Sequence, residues 1–85
     1  MLKAPEGWEV IDSHLQKKFE FKTFLKTMSF VNAVAWVANA QNHHPEMIIN
    51  FNHCIIRTVT HDADNTITSK DYLLAEAIEK LSANS

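Results

Sequence analysis

The fold is decided by residues 23–41, which read TFLKTMSFVNAVAWVANAQ. Apolar residues recur in this stretch at steps of four, three, four and three, the spacing of one face of an α-helix. The members of this face are Phe24, Met28, Val31, Ala35 and Ala38, with Leu25 and Val34 beside them. The helix should end near Asn42, because Pro45 cannot continue it and keeps the preceding residue out of helical angles. The sequence therefore predicts a long amphipathic helix that is buried along one side.

Two short strands are expected before this helix. Residues 8–11, WEVI, follow a turn-like start and form the first strand candidate. In residues 15–21, LQKKFEF, the apolar residues at positions 15, 19 and 21 alternate with polar residues at the even positions. A period of two is typical of a strand with one buried face. The two segments should pair as a hairpin.

A second pair of strands and a second helix are expected after it. Residues 47–51 and 55–60 are rich in β-branched and apolar residues, and Asn52-His53 between them is expected to form a tight turn. Thr68-x-x-Asp71 is a capping box with aspartate in place of the usual glutamate or glutamine, and it opens a helix. The apolar residues that this helix should bury are Leu74, Ile78 and Leu81.

The order of elements is strand, strand, helix, strand, strand, helix. This order predicts an α+β fold, in which a four-stranded antiparallel sheet carries both helices on one face (β-β-α-β-β-α). We assign all 85 residues to one domain, residues 1–85. A chain of this length buries only about 60–65% of the surface that it exposes when unfolded. Its core is therefore thin, and association with further copies would bury area that the monomer cannot bury alone.

Composition and charge exclude several classes of function. The net charge is −2 and lysine and arginine do not cluster, which argues against direct binding of nucleic acid. The longest mostly apolar run, residues 30–40, is too short to span a membrane. No basic stretch followed by an apolar core opens the given sequence, so secretion is not expected. The lone Cys54 fits a reducing compartment, so a cytoplasmic location is expected. Gly7 is the only glycine, which excludes a glycine-rich phosphate loop.

Histidine is the residue type that could carry chemistry. Of the five histidines, His43 and His44 are adjacent just beyond the helix and precede Pro45, and His61 follows the last predicted strand. An imidazole can donate or accept a proton near neutral pH. Each of these histidines could instead be an ordinary surface residue. The three could also hold zinc, but adjacent histidines diverge in an extended chain and no pair has a helical ligand spacing, so no metal is expected.

Five motifs follow one another along the chain. They are Phe19-x-Phe21-x-x-Phe24, His43-His44-Pro45-Glu46 after the helix, an aromatic at Phe51, Thr60-His61, and Ile67-Thr68-x-x-Asp71. Together they resemble the pterin-4a-carbinolamine dehydratases, whose animal members are also known as dimerisation cofactors of a homeodomain transcription factor. The similarity runs from about Gly7-Trp8 to the end of the last helix. The His-His-Pro triplet alone is a weak signal, whereas the whole set in this order is specific.

The resemblance implies an enzyme, a 4a-hydroxytetrahydrobiopterin dehydratase. Such a hydro-lyase removes water from a pterin-4a-carbinolamine by general acid–base catalysis, without metal or organic cofactor, and its product is the quinonoid dihydropterin of tetrahydrobiopterin recycling. The resemblance places His43, His44 and His61 against the pterin as the catalytic residues. Within this set, we assign His43 and His61 to proton transfer and His44 chiefly to holding the pterin. The further substrate contacts that it implies are Pro45, Thr60, Asp62, Ala63 and Trp8.

Departures from the family pattern keep other functions open. The residues Asn39, Asn42 and Met47 stand where the family commonly has charged or aromatic side chains. They support a non-catalytic, coactivator-like dimerisation or binding module, and pterin handling in molybdenum cofactor metabolism is a further alternative. Trp8 could equally be a core-edge aromatic, and Asp71 is expected to cap its helix rather than to act in catalysis.

The resemblance also implies a homo-oligomer, either a dimer through sheet edges or a tetramer through helices.

Overall fold

The computed structural model describes residues 4–83, in which the predicted order of elements is confirmed. The elements are β1 (Glu9–Ile11), β2 (His14–Glu20), α1 (Phe24–Gln41), β3 (Glu46–Ile49), β4 (His53–Thr58), a short 3₁₀ helix (His61–Ala63) and α2 (Ser69–Ala83). The predicted domain, residues 1–85, extends at both ends outside the described residues. Neither α-helix within residues 4–83 combines the length and the apolar composition that crossing a bilayer requires.

The sheet has the strand order β1-β2-β4-β3, and every neighbouring pair is antiparallel. The strands β2 and β4 therefore form its centre, and β1 and β3 form its edges. Leu15 lies opposite Thr58, and Phe19 lies opposite Cys54. Directly opposed residues in an antiparallel pair point to the same face, so these four side chains share one face of the sheet.

One hydrophobic core lies between this face and the two helices. Phe30 of α1 packs on Phe19 with ring centroids 4.8 Å apart, and Trp8 meets Phe19 edge to face at 5.9 Å. From α2, Glu79 accepts a hydrogen bond of 2.9 Å from Trp8 Nε1 and forms an ion pair with Lys17. The other buried apolar residues are Leu15, Cys54, Ile56, Val31, Val34, Ala38, Val59, Leu74, Ala75 and Ile78. Both helices thus pack on one face, as predicted.

Local sequence sets both ends of α1. At its start, Thr23 Oγ1 accepts a backbone N–H of the first turn at 3.1 Å. At its end, Asn42 adopts the left-handed conformation (φ 53°) and donates its N–H to Asn39 O at 3.1 Å. His43 donates its N–H to Ala38 O, also at 3.1 Å. The last two bonds form a Schellman motif, which turns the chain and places His43 directly beyond the helix.

The buried face of α1 differs from the predicted one. The predicted members that are exposed in the structure are Phe24, Leu25 and Ala35. Val31, Val34 and Ala38 are buried as predicted, and the prediction omitted two further buried residues, Thr27 and Phe30. The aromatic cluster explains the difference, because Phe30 lies 4.8 Å from Phe19 and 5.1 Å from Phe21. These contacts turn the side of α1 that carries Phe30 toward the sheet and leave the Phe24 and Leu25 side chains exposed.

The second hairpin turns earlier than predicted. Asn50 donates its N–H to His53 O at 2.9 Å, so Phe51 and Asn52 form the tip of the turn. His53 belongs to β4, where it lies opposite Glu20 of β2. Strands β3 and β4 therefore cover residues 46–49 and 53–58 instead of 47–51 and 55–60. Strand β4 starts earlier than predicted because His53 and Cys54 pair with β2. The sequence of the hairpin itself gives no sign of this pairing.

The placement of the core can be tested with two isoleucines of the sheet. Ile56 in β4 is fully buried, whereas Ile48 in the edge strand β3 is exposed. We expect Ile56→Ala to lower the free energy of unfolding by about 2–4 kcal/mol, because it leaves a cavity. The control Ile48→Ala should lower it by less than about 1 kcal/mol. Urea unfolding followed by tryptophan fluorescence measures both, and equal losses would contradict this core.

Candidate active site

The three predicted site histidines line one cavity of about 440 Å³. The segment after α1 forms one part of its wall, the segment after β4 forms another, and the first turn of α2 adds a lysine. The lining residues are Asn42, His43, His44, Val59, Thr60, His61, Asp62 and Lys70. The fold therefore brings together histidines from two segments that are well separated in the sequence.

His43 is held by a buried aspartate. Its Nε2 lies 2.6 Å from Oδ1 of Asp71 in the first turn of α2, and its side chain is 11% exposed. The Thr58 hydroxyl lies 3.2 Å from the same nitrogen. An ionised carboxylate can only accept hydrogen bonds, so Nε2 carries the hydrogen. The other ring nitrogen, Nδ1, is therefore the one left to exchange a proton with a ligand.

The side chain of Asp71 has no exposed surface and accepts four hydrogen bonds. Its Oδ1 accepts from His43 Nε2 and from the Thr58 hydroxyl, both at 2.6 Å. Its Oδ2 accepts from the Thr60 hydroxyl and from the Thr68 N–H, both at 2.8 Å. Four donors occupy the acceptor positions of a carboxylate. The surroundings are therefore built for the ionised form of Asp71.

Two opposing effects act on the pKa of Asp71. Burial by itself raises the pKa of this carboxyl group, because it removes the charge from water. The hydrogen bonds from His43, Thr58, Thr68 and Thr60 outweigh burial and hold the pKa of Asp71 below its ordinary value. Asp71 is therefore a carboxylate at neutral pH, in direct contact with the His43 ring.

Asp71 also caps α2, which confirms the predicted capping box. The Thr68 N–H donates to Asp71 Oδ2 at 2.8 Å, and the Lys70 N–H donates to Thr68 Oγ1 at 3.3 Å. The Asp71 side chain thus accepts the N-cap N–H as in a capping box, while the Thr68 hydroxyl accepts from the second residue of the helix instead of the third. The contact with His43 goes beyond the sequence prediction, because the carboxylate uses Oδ2 for the cap and Oδ1 for the histidine.

The other two site histidines are exposed. His61 begins the 3₁₀ helix, and its Nδ1 lies 2.7 Å from Oδ1 of Asn65. His44 makes no side-chain hydrogen bond within residues 4–83. Both histidines also line a second cavity of about 390 Å³, whose other lining residues are His14, Glu46, Arg57 and Val59. The site is therefore open on the side where His44 and His61 lie.

The remaining predicted contacts fall into three groups. Thr60 and Asp62 line the cavity, whereas Pro45 and Ala63 are half-buried beside lining residues. The structure does not bring Trp8 to this cavity, because that side chain is buried in the core. In the part of the chain that the structure describes, no group of three or more His, Cys, Asp or Glu side chains could hold a metal ion.

The sequence prediction missed Thr58 and Lys70, as it missed Asn42 and Val59 of the cavity lining. Thr58 is buried on the helix-facing side of β4, where its hydroxyl donates to Asp71. A signal for it existed, because a threonine facing inward from a central strand needs a buried hydrogen-bond partner. Lys70 lines the cavity from the first turn of α2. Nothing in the local sequence distinguishes it from an ordinary surface lysine.

The ionised state of Asp71 predicts how stability depends on pH. Its pKa is lower in the folded chain than the unfolded value of about 3.9. Asp71 therefore contributes its full stabilisation above about pH 5, and this contribution is lost as the pH falls through the folded pKa. We expect Asp71→Asn to be less stable than the wild type at neutral pH by about 2–4 kcal/mol, because its amide NH₂ would face hydrogen-bond donors.

The same variant should lose less stability than the wild type between about pH 5 and pH 3. Urea unfolding over a series of pH values measures this difference. Asp62→Asn is the control, since Asp62 is an exposed acid of the same cavity. Parallel pH profiles for the wild type and Asp71→Asn would contradict the stabilising role of the ionised carboxylate.

Comparison with known proteins supports the resemblance seen in the sequence. The family described as Pterin 4 alpha carbinolamine dehydratase matches residues 1–81. A protein of Legionella pneumophila (strain Corby), provisionally named a pterin-4-alpha-carbinolamine dehydratase, is 43% identical over 76 residues. The alignment covers 87% of this chain and 66% of the Legionella protein. The chain thus spans slightly less than two thirds of the length of that relative.

Two solved structures share the fold. A protein of Brucella melitensis described as a transcriptional coactivator/pterin dehydratase has a TM-score of 0.82 and 27% identity, over 88% of this chain and 81% of its own. A pterin dehydratase-like protein, identified as a RuBisCO assembly factor in the alpha-carboxysome, has a TM-score of 0.70 and 17% identity, over 87% and 84%. This second likeness shows the fold alone. The match over residues 1–81 shows that the chain belongs to the pterin-4a-carbinolamine dehydratase family.

Proposed function

We propose that the chain dehydrates a pterin-4a-carbinolamine, as a 4a-hydroxytetrahydrobiopterin dehydratase. The observation that carries the proposal is the 2.6 Å hydrogen bond between His43 and buried Asp71, at a cavity that His44 and His61 share. A carboxylate in this position orients the imidazole, selects its tautomer and stabilises the cation that forms when the ring takes up a proton. A general acid–base catalyst needs these properties.

The reaction needs one acid and one base. The acid protonates the hydroxyl on C4a, the C4a–O bond breaks and water leaves, while the base removes a proton from a ring N–H to give the quinonoid dihydropterin. His43 is hydrogen-bonded to a carboxylate and His61 to a neutral amide. We assign the acid to His43, whose ring is oriented by the buried carboxylate of Asp71, and the base to His61, whose Nδ1 contacts the Asn65 amide oxygen. The exposed His44 would chiefly hold the pterin.

The other substrate contacts stay predictions. Thr60 and Asp62 are favoured, because they line the cavity. Pro45 and Ala63 adjoin the lining residues along the chain. A direct contact of Trp8 with the pterin is less favoured, because this side chain is buried in the core and donates its indole N–H to Glu79.

The departures from the family pattern are compatible with this chemistry. Asn42 takes the left-handed position of the Schellman motif, a conformation that asparagine adopts more readily than most residues. Met47 packs against the hydrophobic core, and Asn39 is exposed on α1. None of the three belongs to the hydrogen-bond network around Asp71.

A non-catalytic dimerisation or binding module is the second candidate function. Two observations favour it. The fold is similar to that of a RuBisCO assembly factor, and the Brucella protein is described as a transcriptional coactivator as well as a pterin dehydratase. In that case the cavity would not bind pterins, and His43→Ala would leave partner binding intact.

For the enzyme, we propose a role in tetrahydrobiopterin recycling, with pterin handling in molybdenum cofactor metabolism as the alternative pathway.

Stopped-flow absorbance of 4a-hydroxytetrahydropterin decay tests the enzyme. The wild type should accelerate decay over the spontaneous rate. His43→Ala should lose about 100-fold of this acceleration, a usual contribution of a positioned acid or base. His53→Ala is the matched control, because His53 begins β4 whereas the site follows the end of that strand. Decay at the spontaneous rate with the wild type would contradict the enzyme and favour the binding module.

We also propose that copies of the chain assemble. Leu25 and Trp36 are 76% and 78% exposed, and they lie three helical turns apart on one face of α1. The edge strand β3 exposes Ile48 and Ile49. An apolar helix face fits packing of helices between copies, and a free strand edge fits continuation of the sheet into a second copy.

Light scattering after gel filtration distinguishes the two assemblies. If helix packing builds a tetramer from dimers, Trp36→Ser should leave dimers, because it removes the largest exposed apolar side chain of α1. Ile48→Lys should weaken a dimer that forms through the sheet edge, since charged side chains oppose edge pairing. A monomeric wild type at micromolar concentration would contradict the proposed assembly.

A further inference from the structure

We propose that Asn65 is a positioning residue that selects the tautomer of His61 and so presents Nε2 of this ring to the substrate. The inference rests on the proposed function, in which His61 is the base. It assigns a role to a residue of the turn that otherwise serves only to reverse the chain.

The turn after His61 is closed by its own hydrogen bonds. Thr60 and Thr66 form an isolated antiparallel bridge, in which the Thr60 N–H donates to Thr66 O at 2.9 Å. The Thr66 hydroxyl donates to Ala63 O at 2.7 Å. Between them, Asp64 and Asn65 both adopt the left-handed conformation, with φ of 57° and 58°. This closed turn brings the Asn65 amide back to the His61 ring, four residues earlier in the chain.

The contact defines which ring nitrogen carries hydrogen. His61 Nδ1 lies 2.7 Å from Asn65 Oδ1, and an amide oxygen has no hydrogen to donate. Nδ1 must therefore be the donor, both in the neutral ring and in the imidazolium. In the neutral ring, Nε2 then bears the lone pair that a base needs. Free histidine favours the opposite tautomer, so Asn65 selects the form that is otherwise less populated.

The two proton-transfer histidines thereby use opposite ring nitrogens. His43 has Nε2 bound to Asp71 and keeps Nδ1 for the substrate, whereas His61 has Nδ1 bound to Asn65 and keeps Nε2. One partner is a buried carboxylate and the other is an exposed neutral amide. Each contact therefore leaves one ring nitrogen for the proton transfer that the proposed function assigns to that histidine.

Three variants of the turn separate positioning from a structural role. Asn65→Gly keeps a residue that tolerates positive φ and removes the amide. Asn65→Asp keeps an acceptor oxygen in the same place. Asp64→Gly is the matched control, because Asp64 has the same backbone conformation one residue earlier and makes no side-chain hydrogen bond within residues 4–83.

The first measurement is the tautomer of His61, read from long-range ¹H–¹⁵N correlations of the imidazole in the intact chain at a pH where the ring is neutral. The wild type and Asn65→Asp should show the Nδ1–H tautomer. Asn65→Gly should shift His61 toward the Nε2–H tautomer, and Asp64→Gly should not. A wild-type His61 in the Nε2–H form, or no shift in Asn65→Gly, would overturn the proposal.

The second measurement is the stopped-flow dehydratase assay. Asn65→Gly should lower kcat about tenfold with KM little changed, a usual cost of removing a partner that orients a functional histidine. Asn65→Asp should keep most of kcat. Unchanged kcat in Asn65→Gly despite a tautomer shift would overturn the positioning role. A wild type without dehydratase activity would refute the base at His61, while the tautomer measurement would still decide whether Asn65 selects the ring form.

Discussion

The buried carboxylate of Asp71 is the group on which both the fold and the site depend. Its four donors come from the end of α1, from β4, from the residue Thr60 and from the start of α2. A carboxylate that is removed from water is tolerated only when other donors replace its hydration. Because those donors belong to separate segments, satisfying this one charge holds the segments at fixed positions relative to one another.

The ends of the two helices give the site its geometry. The Schellman motif at Asn42 directs the chain so that His43 leaves α1 toward the core, and the capping box at Thr68 directs Asp71 back toward the start of α2. Both motifs are local and would form in many helices. They create a site here because the fold brings the end of α1 and the start of α2 together beside the end of β4. A chain of 85 residues thus uses the same few residues for capping and for chemistry.

The sequence was informative where local rules decide the outcome. The change from a period of two to a helical period gave the order of elements, and Thr23 and Asn42 lie at the predicted ends of α1. Residue type singled out His43, His44 and His61 as candidates, and the resemblance to the pterin-4a-carbinolamine dehydratases made them the predicted site. The predicted burial of Phe24 and Leu25 was wrong, because aromatic contacts of Phe30 with the sheet rotate the buried face of α1.

By itself, the sequence determined which elements form, in which order, and which residue types could move protons. These properties depend on residues within about four positions of one another, through periodicity, capping and turn formation. Only the tertiary structure decided that His43 meets Asp71, a residue 28 positions away, that Thr58 and Thr60 complete the network, and that Trp8 lies in the core. The reason is physical: a contact between distant segments depends on how whole elements pack, and no local pattern encodes the rotation of a helix on a sheet.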